Sequence, residues 1–238
     1  MPTAASDAPG VTRPPSRREL TRARTMEEIK EHALAQIAAS GPEALSLNAI
    51  ARAMGMSGPA LYRYFASRED LLGELVANGY DDLADAMTQA VEAGQAAGRP
   101  APDQVRALGQ ATRTWARAQP HRYRLIFATR YGSGFTAPER TVPASQRAMS
   151  AILSALSGVQ PQWQREWSST AELDAQLRTW ISRSSEGPVP PEGLLQAGIL
   201  LWTRLHGVLS LELEGVFASM GIDAGLLYDQ EIERFVSL

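Results

Sequence analysis

Apolar residues recur at three- and four-residue intervals through almost every segment of this chain, and no segment alternates with period two for long enough to make a strand. That pattern restricts the fold to helices packed on helices, because a helical stripe buries itself only against another apolar face. Gly and Pro separate the stripes. Ile29, Ala33, Leu34 and Ile37 form the first, which Gly41-Pro42 ends and a capping box at Thr25-Met-Glu-Glu28 opens. Leu47, Ile50, Ala51 and Met54 mark a short second helix with Ser46 as N-cap, broken by Gly55-Met56. Ser57 caps a third helix reaching about Phe65. Ser67-Arg-Glu-Asp70 is another capping box, opening a long fourth helix through Leu71, Leu75, Leu83, Met87 and Val91. After a turn at 94–102, stripes follow at 103–118, 120–130, 143–157, 162–183, 192–219 and 223–236. The expectation is an all-α chain of about nine or ten helices.

A chain of 238 residues can bury a real core without staples, as one large domain or a small one joined to a larger one. Cys is absent and His occurs only at positions 32, 121 and 206, which argues against disulfides, thiolate metal sites, a multi-histidine site and Cys nucleophiles. No cofactor is expected. The net charge of −3 argues, by itself, against a nucleic-acid binder. Placed along the chain, however, the charges separate. Residues 13–68 carry nine cations against five acids, whereas 71–238 carry fourteen against eighteen. A basic N-terminal block on an acidic body fits an anion-binding head on a different module. Residues 1–16, rich in Pro, Ala and Ser, are expected to be mobile, and the basic arm is drawn as 1–20. The N-terminus has no apolar h-region, and no apolar run approaches the roughly 18 residues that span a bilayer, so a soluble, cytoplasmic protein is expected.

The short helices 46–54 and 57–65, joined through a Gly-containing turn, have helix-turn-helix proportions. An α-helix fits the major groove of B-DNA, and its N-terminus carries partial positive charge suited to phosphates. Pro59 is compatible with the first turn, and small residues at Gly58, Pro59 and Ala60 let the backbone approach DNA closely. Segments 29–41 (IKEHALAQIAASG), 50–54 (IARAM) and 57–72 (SGPALYRYFASREDLL) closely resemble the N-terminal domain of the tetracycline-repressor (TetR) family. The most specific part is Leu61-Tyr62-Arg63-Tyr64-Phe65 followed by Ser67-Arg68-Glu69-Asp70, similar to the family's L-Y-x-H-F and its capped next helix. Arg68 stands where the family usually has Lys, and Tyr64 where it usually has His. In the C-terminal half, Trp202-Thr-Arg-Leu-His206-Gly207 resembles the Trp–His–Gly signature of one type of regulatory domain in that family.

The resemblance implies a head at 21–70, with an effector-binding and dimerisation module at 71–238. It also implies phosphate contacts at Tyr62, Tyr64 and Arg68. Arg63 reads either as a bidentate guanine contact or, in the plainer reading, as a phosphate contact or a solvated surface residue. With few donors at Ser57, Gly58, Pro59 and Ala60, base discrimination is expected to lean on backbone N–H groups, thymine-methyl contacts and DNA shape. The candidate DNA-binding set is therefore Ser46, Ser57, Gly58, Pro59, Ala60, Tyr62, Arg63, Tyr64 and Arg68.

Beyond the head, the chain is rich in Trp. Trp115, Phe127, Trp180, Trp202 and His206 are the candidate effector residues, beside Tyr123, Trp163 and Trp167; each aromatic taken singly reads as core, and together they read as the lining of an apolar pocket. His206 reads either as a pocket's orienting polar group or as a core His bonded to a carbonyl. Helix 192–219 is apolar nearly all round and, with 223–236, is the candidate two-fold dimer interface; Gly198, Gly207 and Ser210 would permit close helix approach, and burial within one subunit is the alternative. No phosphate loop, zinc-protease run or nucleophile elbow is present, and the acidic pairs Asp81-Asp82 and Glu212/Glu214 read as solvated faces or caps. The expectation is thus a homodimeric, ligand-responsive DNA-binding regulator, a repressor on a pseudo-palindromic operator, and not an enzyme. Its partners would be double-stranded DNA, a second copy and a hydrophobic or aromatic effector, with no membrane. The alternatives are a helical small-molecule binder without operator function, and an all-α enzyme with an incidental helix-turn-helix.

Overall fold

A computed structural model describes residues 16–127, 139, 141–159, 170–184 and 190–236. Every regular element among them is helical. The chain divides into two units, residues 1–68 and 69–238.

In the first unit, α1 (Arg17–Ser40) starts well before the expected capping box at Thr25. The cap is Ser16, whose Oγ accepts from the Glu19 N–H at 3.3 Å while the Glu19 carboxylate accepts from the Ser16 N–H at 2.6 Å. Thr25 is a helix-interior residue whose hydroxyl donates to the Thr21 carbonyl at 3.0 Å. The early start hides from periodicity because the first three turns bury nothing; burial begins at Ile29 and continues through Lys30, Ala33 and Ile37. Residues 17–20, drawn as part of a flexible arm, are the first turn of this helix, and 1–15 lie outside the described residues. Gly41, at φ 79°, ends α1 with its N–H on the Ile37 carbonyl.

A 3₁₀ turn (Pro42–Ala44) leads to α2 (Leu47–Ala53). Ser46 caps α2 as expected, its Oγ accepting from the Ala49 N–H at 3.3 Å. Its own N–H donates to Gln36 Oε1 at 3.0 Å, which pins the start of α2 to α1. Gly55, at φ 65°, turns the chain into α3 (Gly58–Leu61). This third helix is shorter than the expected 57–65. Beyond Leu61 the coil continues as turns, with the Tyr64 and Phe65 N–H groups both on the Leu61 carbonyl at 2.8 and 3.3 Å. Ile29, Ala33, Ile37, Leu45, Leu47, Ile50, Ala51, Leu61 and Phe65 form the core of this unit.

The second unit is a helical bundle. Its long helix α4 (Arg68–Ala96) is followed by α5 (Ala101–Ala118), α6 (Pro120–Phe127), α7 (Thr141–Ser157) and α8 (Ala171–Ser184). Then come α9 (Glu192–Leu213), the single turn α10 (Val216–Ser219) and α11 (Ala224–Val236). The expected helix 192–219 is thus split, because Gly215 adopts a left-handed φ of 73°. Helix α9 packs against α5, α7 and α11, burying Leu195, Ala197, Leu201, Leu205 and Leu209.

Contrary to the sequence expectation, residues 193–213 are long and apolar enough to cross a bilayer by length and composition; here one face of that helix is buried in the bundle. The acids read as solvated faces are paired. Arg113 holds Glu212 in two bonds of 2.7 and 2.9 Å, Arg124 reaches Glu214 at 2.8 Å, Arg147 reaches Asp81 at 3.0 Å, and Arg122 pairs with Asp82.

Candidate nucleic-acid interface and bundle cavity

The segment 57–65 separates its residues by face. Leu61 and Phe65, four apart, are 0% and 3% exposed and anchor the turn in the head's core. Ser57, Pro59, Tyr62 and Arg63 are exposed, and Gly58, Ala60 and Tyr64 are half-buried. Ser57 occupies the N-cap position of α3 with no side-chain cap bond. A side-chain carbon at Gly58 would lie 3.5 Å from Asn48 Oδ1, an ordinary contact, so close packing on α2 is not what requires Gly there.

Arg22 of α1 holds the last turn. Its Nη2 donates to the Arg63 carbonyl at 3.3 Å, and its guanidinium carbon lies 5.0 Å from the centroid of the Tyr64 ring, a cation–π distance. Arg17, Arg18, Thr21 and Arg22 face Met56, Ala60, Arg63 and Tyr64 across an open groove of about 650 Å³. The acid in that groove, Glu19, accepts from Ser16, which holds its carboxyl below the usual carboxylate range and therefore ionised. Among the described residues, four guanidiniums against one engaged carboxylate leave the groove electropositive, as a phosphate backbone requires. Arg17 and Arg18 fall in the expected basic arm and Arg22 just beyond it; the Ser16/Glu19 pair and the four-residue spacing of Arg18 and Arg22 were the signals for a shared helix face. Arg68 points elsewhere. Its Nη2 donates to the Pro42 carbonyl at 2.7 Å and lies 3.9 Å from Glu43, bracing the connection between α1 and α2.

In the bundle, a cavity of about 280 Å³ lies among α4, α6, α7, α8 and α9. Tyr80, Met87, Phe127, Met149, Ile152, Trp180, Ile199 and Trp202 are among its walls. A smaller one of about 30 Å³ shares Leu83, Met87, Phe127, Ile152 and Trp202 with it and adds Tyr123 and His206. Three of the five candidate effector residues, Phe127, Trp180 and Trp202, therefore meet at the larger cavity, and His206 sits at the smaller one. Trp115 is half-buried and lines neither. Trp163 and Trp167 lie outside the described residues. Tyr80, Met87, Met149 and Ile199 were missed, since a helical stripe does not distinguish a residue facing a cavity from one facing filled core.

His206 is stacked on Trp202 at 5.3 Å and 11° between planes, and Phe127 meets it edge-on at 4.6 Å. Its Nδ1 is 2.6 Å from the Tyr123 hydroxyl, so the partner is a phenol rather than a backbone carbonyl. Burial holds the imidazole below its ordinary value and pushes the Tyr123 phenol up to about 12, so both are neutral near pH 7. Among the described residues, no group of His, Asp and Glu side chains is placed to hold a metal ion.

Residues 25–75 match the family described as bacterial regulatory proteins, tetR family, and residues 105–235 match a tetracyclin repressor-like C-terminal domain. The HTH-type transcriptional regulator Rv1816 of Mycobacterium tuberculosis is 30% identical over 213 residues, which is 89% of this chain and 90% of that protein. Its Mycobacterium bovis counterpart Mb1846 matches equally. Among solved structures, SCO4313 superposes with a TM-score of 0.77 at 38% identity, covering 94% of this chain and 100% of that one. A Rhodococcus sp. RHA1 protein of unknown function shares the fold, with a TM-score of 0.64 at 20% identity over 88% of this chain and 92% of its own. With an arginine-lined helix-turn-helix head and matches that run through the bundle, the chain belongs to the TetR family and is a DNA-binding transcriptional regulator rather than an enzyme.

Proposed function

We propose that the protein is a cytoplasmic, homodimeric repressor that releases its operator when a small apolar molecule enters the bundle cavity. The observation that carries the DNA-reading part is the division of faces in 57–65: Leu61 and Phe65 inward, Tyr62 and Arg63 outward beside the arginines of α1. In this reading α3 and its following turn enter the major groove. Arg63 reaches a base edge or a phosphate, Tyr62 and Tyr64 meet phosphates, and Ser46 and Ser57 border the contact. Gly58, Pro59 and Ala60 bring the backbone close to the bases. Arg68 acts indirectly, by fixing the turn before α2.

Dimerisation through α9 and α11 is supported by the apolar surface these helices keep. Leu211 is 44% and Leu226 71% exposed, and a side-chain carbon at Gly207 would meet nothing within 4 Å. Two heads would face successive major grooves about 34–36 Å apart on a pseudo-palindrome. The effector would release DNA by favouring a dimer with a different head spacing, which it can do only through differential affinity for that state.

Selection of bound fragments from the gene's own upstream region, followed by gel shifts at several salt concentrations, tests the proposal. A two-fold operator bound with a steep salt dependence is expected. Weak, sequence-indifferent binding would favour a helical small-molecule binder without operator function, and an operator complex indifferent to every bound ligand would remove the switch.

A further inference from the structure

The two neighbouring cavities differ in the way an apolar site and its polar end differ. Among the described walls of the larger one, the hydroxyl protons are already placed: Tyr80 donates to the Ile126 carbonyl at 3.3 Å and Ser145 to the Val142 carbonyl at 2.9 Å. No charged side chain lines either cavity among the described residues. A dry cavity of about 150 Å³ holds one benzene ring, so a volume near 280 Å³ has room for a body of about two fused rings. Trp202 and Phe127 supply faces and edges for such a body, and Met87 and Met149 supply adaptable thioethers.

The smaller cavity, about 30 Å³, has room for about one oxygen-sized group. Thr112 there donates to the Leu108 carbonyl at 2.9 Å. In the 2.6 Å contact between Tyr123 and His206 Nδ1 we assign the phenol as donor, because it is a far stronger acid than a neutral imidazole N–H and its other acceptor, the His206 carbonyl, lies farther off at 3.4 Å. Nε2 then carries the ring proton. Its partner is Ser210 Oγ at 3.5 Å, the outer limit of a hydrogen bond, and that hydroxyl is also 3.3 Å from Tyr123. Among the described residues the Nε2–H is therefore a poorly used donor, on a side chain that lines the smaller cavity.

We propose that the two cavities form one site for an uncharged, two-ring planar molecule carrying one hydrogen-bond-accepting oxygen. The rings lie against Trp202 and Phe127, the walls common to both cavities, and the oxygen accepts from His206 Nε2–H. This rests on the reading of the bundle cavity as the effector site, and it assigns the Trp202/His206 pair a recognition role: one residue for the ring, the other for the oxygen. Among the described residues no cation meets a carboxylate there, so an uncharged ligand fits these walls better than an acid.

Equilibrium dialysis of the full-length protein with 2-acetylnaphthalene and 2-ethylnaphthalene, which differ in the acceptor alone, tests the assignment. The ratio of their association constants, acetyl over ethyl, is expected to fall about five- to tenfold on His206→Phe, while 2-ethylnaphthalene still binds. Ile199→Trp, which fills the outer chamber, is expected to abolish binding of both. An unchanged ratio, or undiminished binding to Ile199→Trp, would overturn the site.

Should His206→Phe fail to fold, imidazole ¹⁵N spectra of the unaltered protein decide, since only three His are present. The His206 Nε2–H resonance should move with the ketone and not with the hydrocarbon, and equal responses would overturn the proposal. Operator gel shifts with the same probes separate this inference from the function it rests on. Binding without release leaves the site standing and removes the switch, whereas release by other ligands from a protein that ignores both probes removes the site alone.

Discussion

At the scale of single residues, the head depends on an arginine 41 positions away from the carbonyl it holds. Arg22 combines a hydrogen bond to Arg63 with a cation–π contact to Tyr64, worth together about 1–2 kcal/mol, or about tenfold in an equilibrium. Arg22→Ala is expected to weaken operator binding about tenfold, with most of the loss in preference over unrelated DNA. Arg22→Lys keeps the charge but cannot form the planar fork, so it should restore the salt dependence and not the preference. Full recovery of both in gel shifts would reduce Arg22 to a phosphate contact.

His206 offers a second test at this scale. Its folded value lies below the ordinary imidazole value, because burial disfavours the charged ring between Trp202, Phe127 and Tyr123. Below about pH 6.5 the unfolded chain therefore binds more protons than the folded one. The stability tied to neutral His206 is fully present above that pH and is lost as pH falls through it. Urea midpoints should drop between pH 7.5 and 5.5 by more in the unaltered protein than in His206→Phe, and parallel drops would contradict this.

At the scale of elements, α1 and α9 each do two jobs on different faces. α1 buries Ile29, Ala33 and Ile37, while its first turns carry arginines into the groove beside α3. α9 buries one face in the bundle and leaves another open, and its two central glycines show the difference. A side-chain carbon at Gly198 would fall 2.8 Å from Leu153 Cδ2, closer than such contacts are found, whereas Gly207 has free space. Gly198→Ala is therefore expected to lose about 1–2 kcal/mol through overpacking. Gly207→Ala should gain up to about 1 kcal/mol of helix propensity within one subunit and weaken the proposed dimer. Denaturation at two protein concentrations, with sedimentation, checks both signs.

At the scale of the whole molecule, the charge of −3 is the sum of a basic head and an acidic body. Among the described residues of the acidic body, eight acids are held in ion pairs such as Arg106–Glu233 and Arg113–Glu212, whereas Arg17 and Arg18 face the open groove. The double change Arg17→Ala, Arg18→Ala is expected to lower the slope of log affinity against log salt by about one to two per head, without altering the preferred sequence. An unchanged slope would place the α1 groove off the DNA path.

Much of this organisation was readable from the chain itself. Helical periodicity, the Ser46 cap, the glycine turns and the buried pair Leu61 and Phe65 are local properties, set by spacing and backbone sterics, and they appear where the sequence put them. The start of α1 was legible too, but in a capping pair at Ser16 and Glu19 rather than in a stripe, since an exposed helix has no apolar pattern to reveal it. Tertiary structure alone decided the contacts that join distant positions. Among them are Arg22 under Arg63 and Tyr64, Arg68 on Pro42, Tyr123 on His206, and the choice of Trp180 and Trp202 over Trp115 as cavity walls. The physical reason is the same in each case. Periodicity states that a side chain leaves water, but only the packing of other helices fixes whether it meets filled core, a hydrogen-bond partner or a cavity.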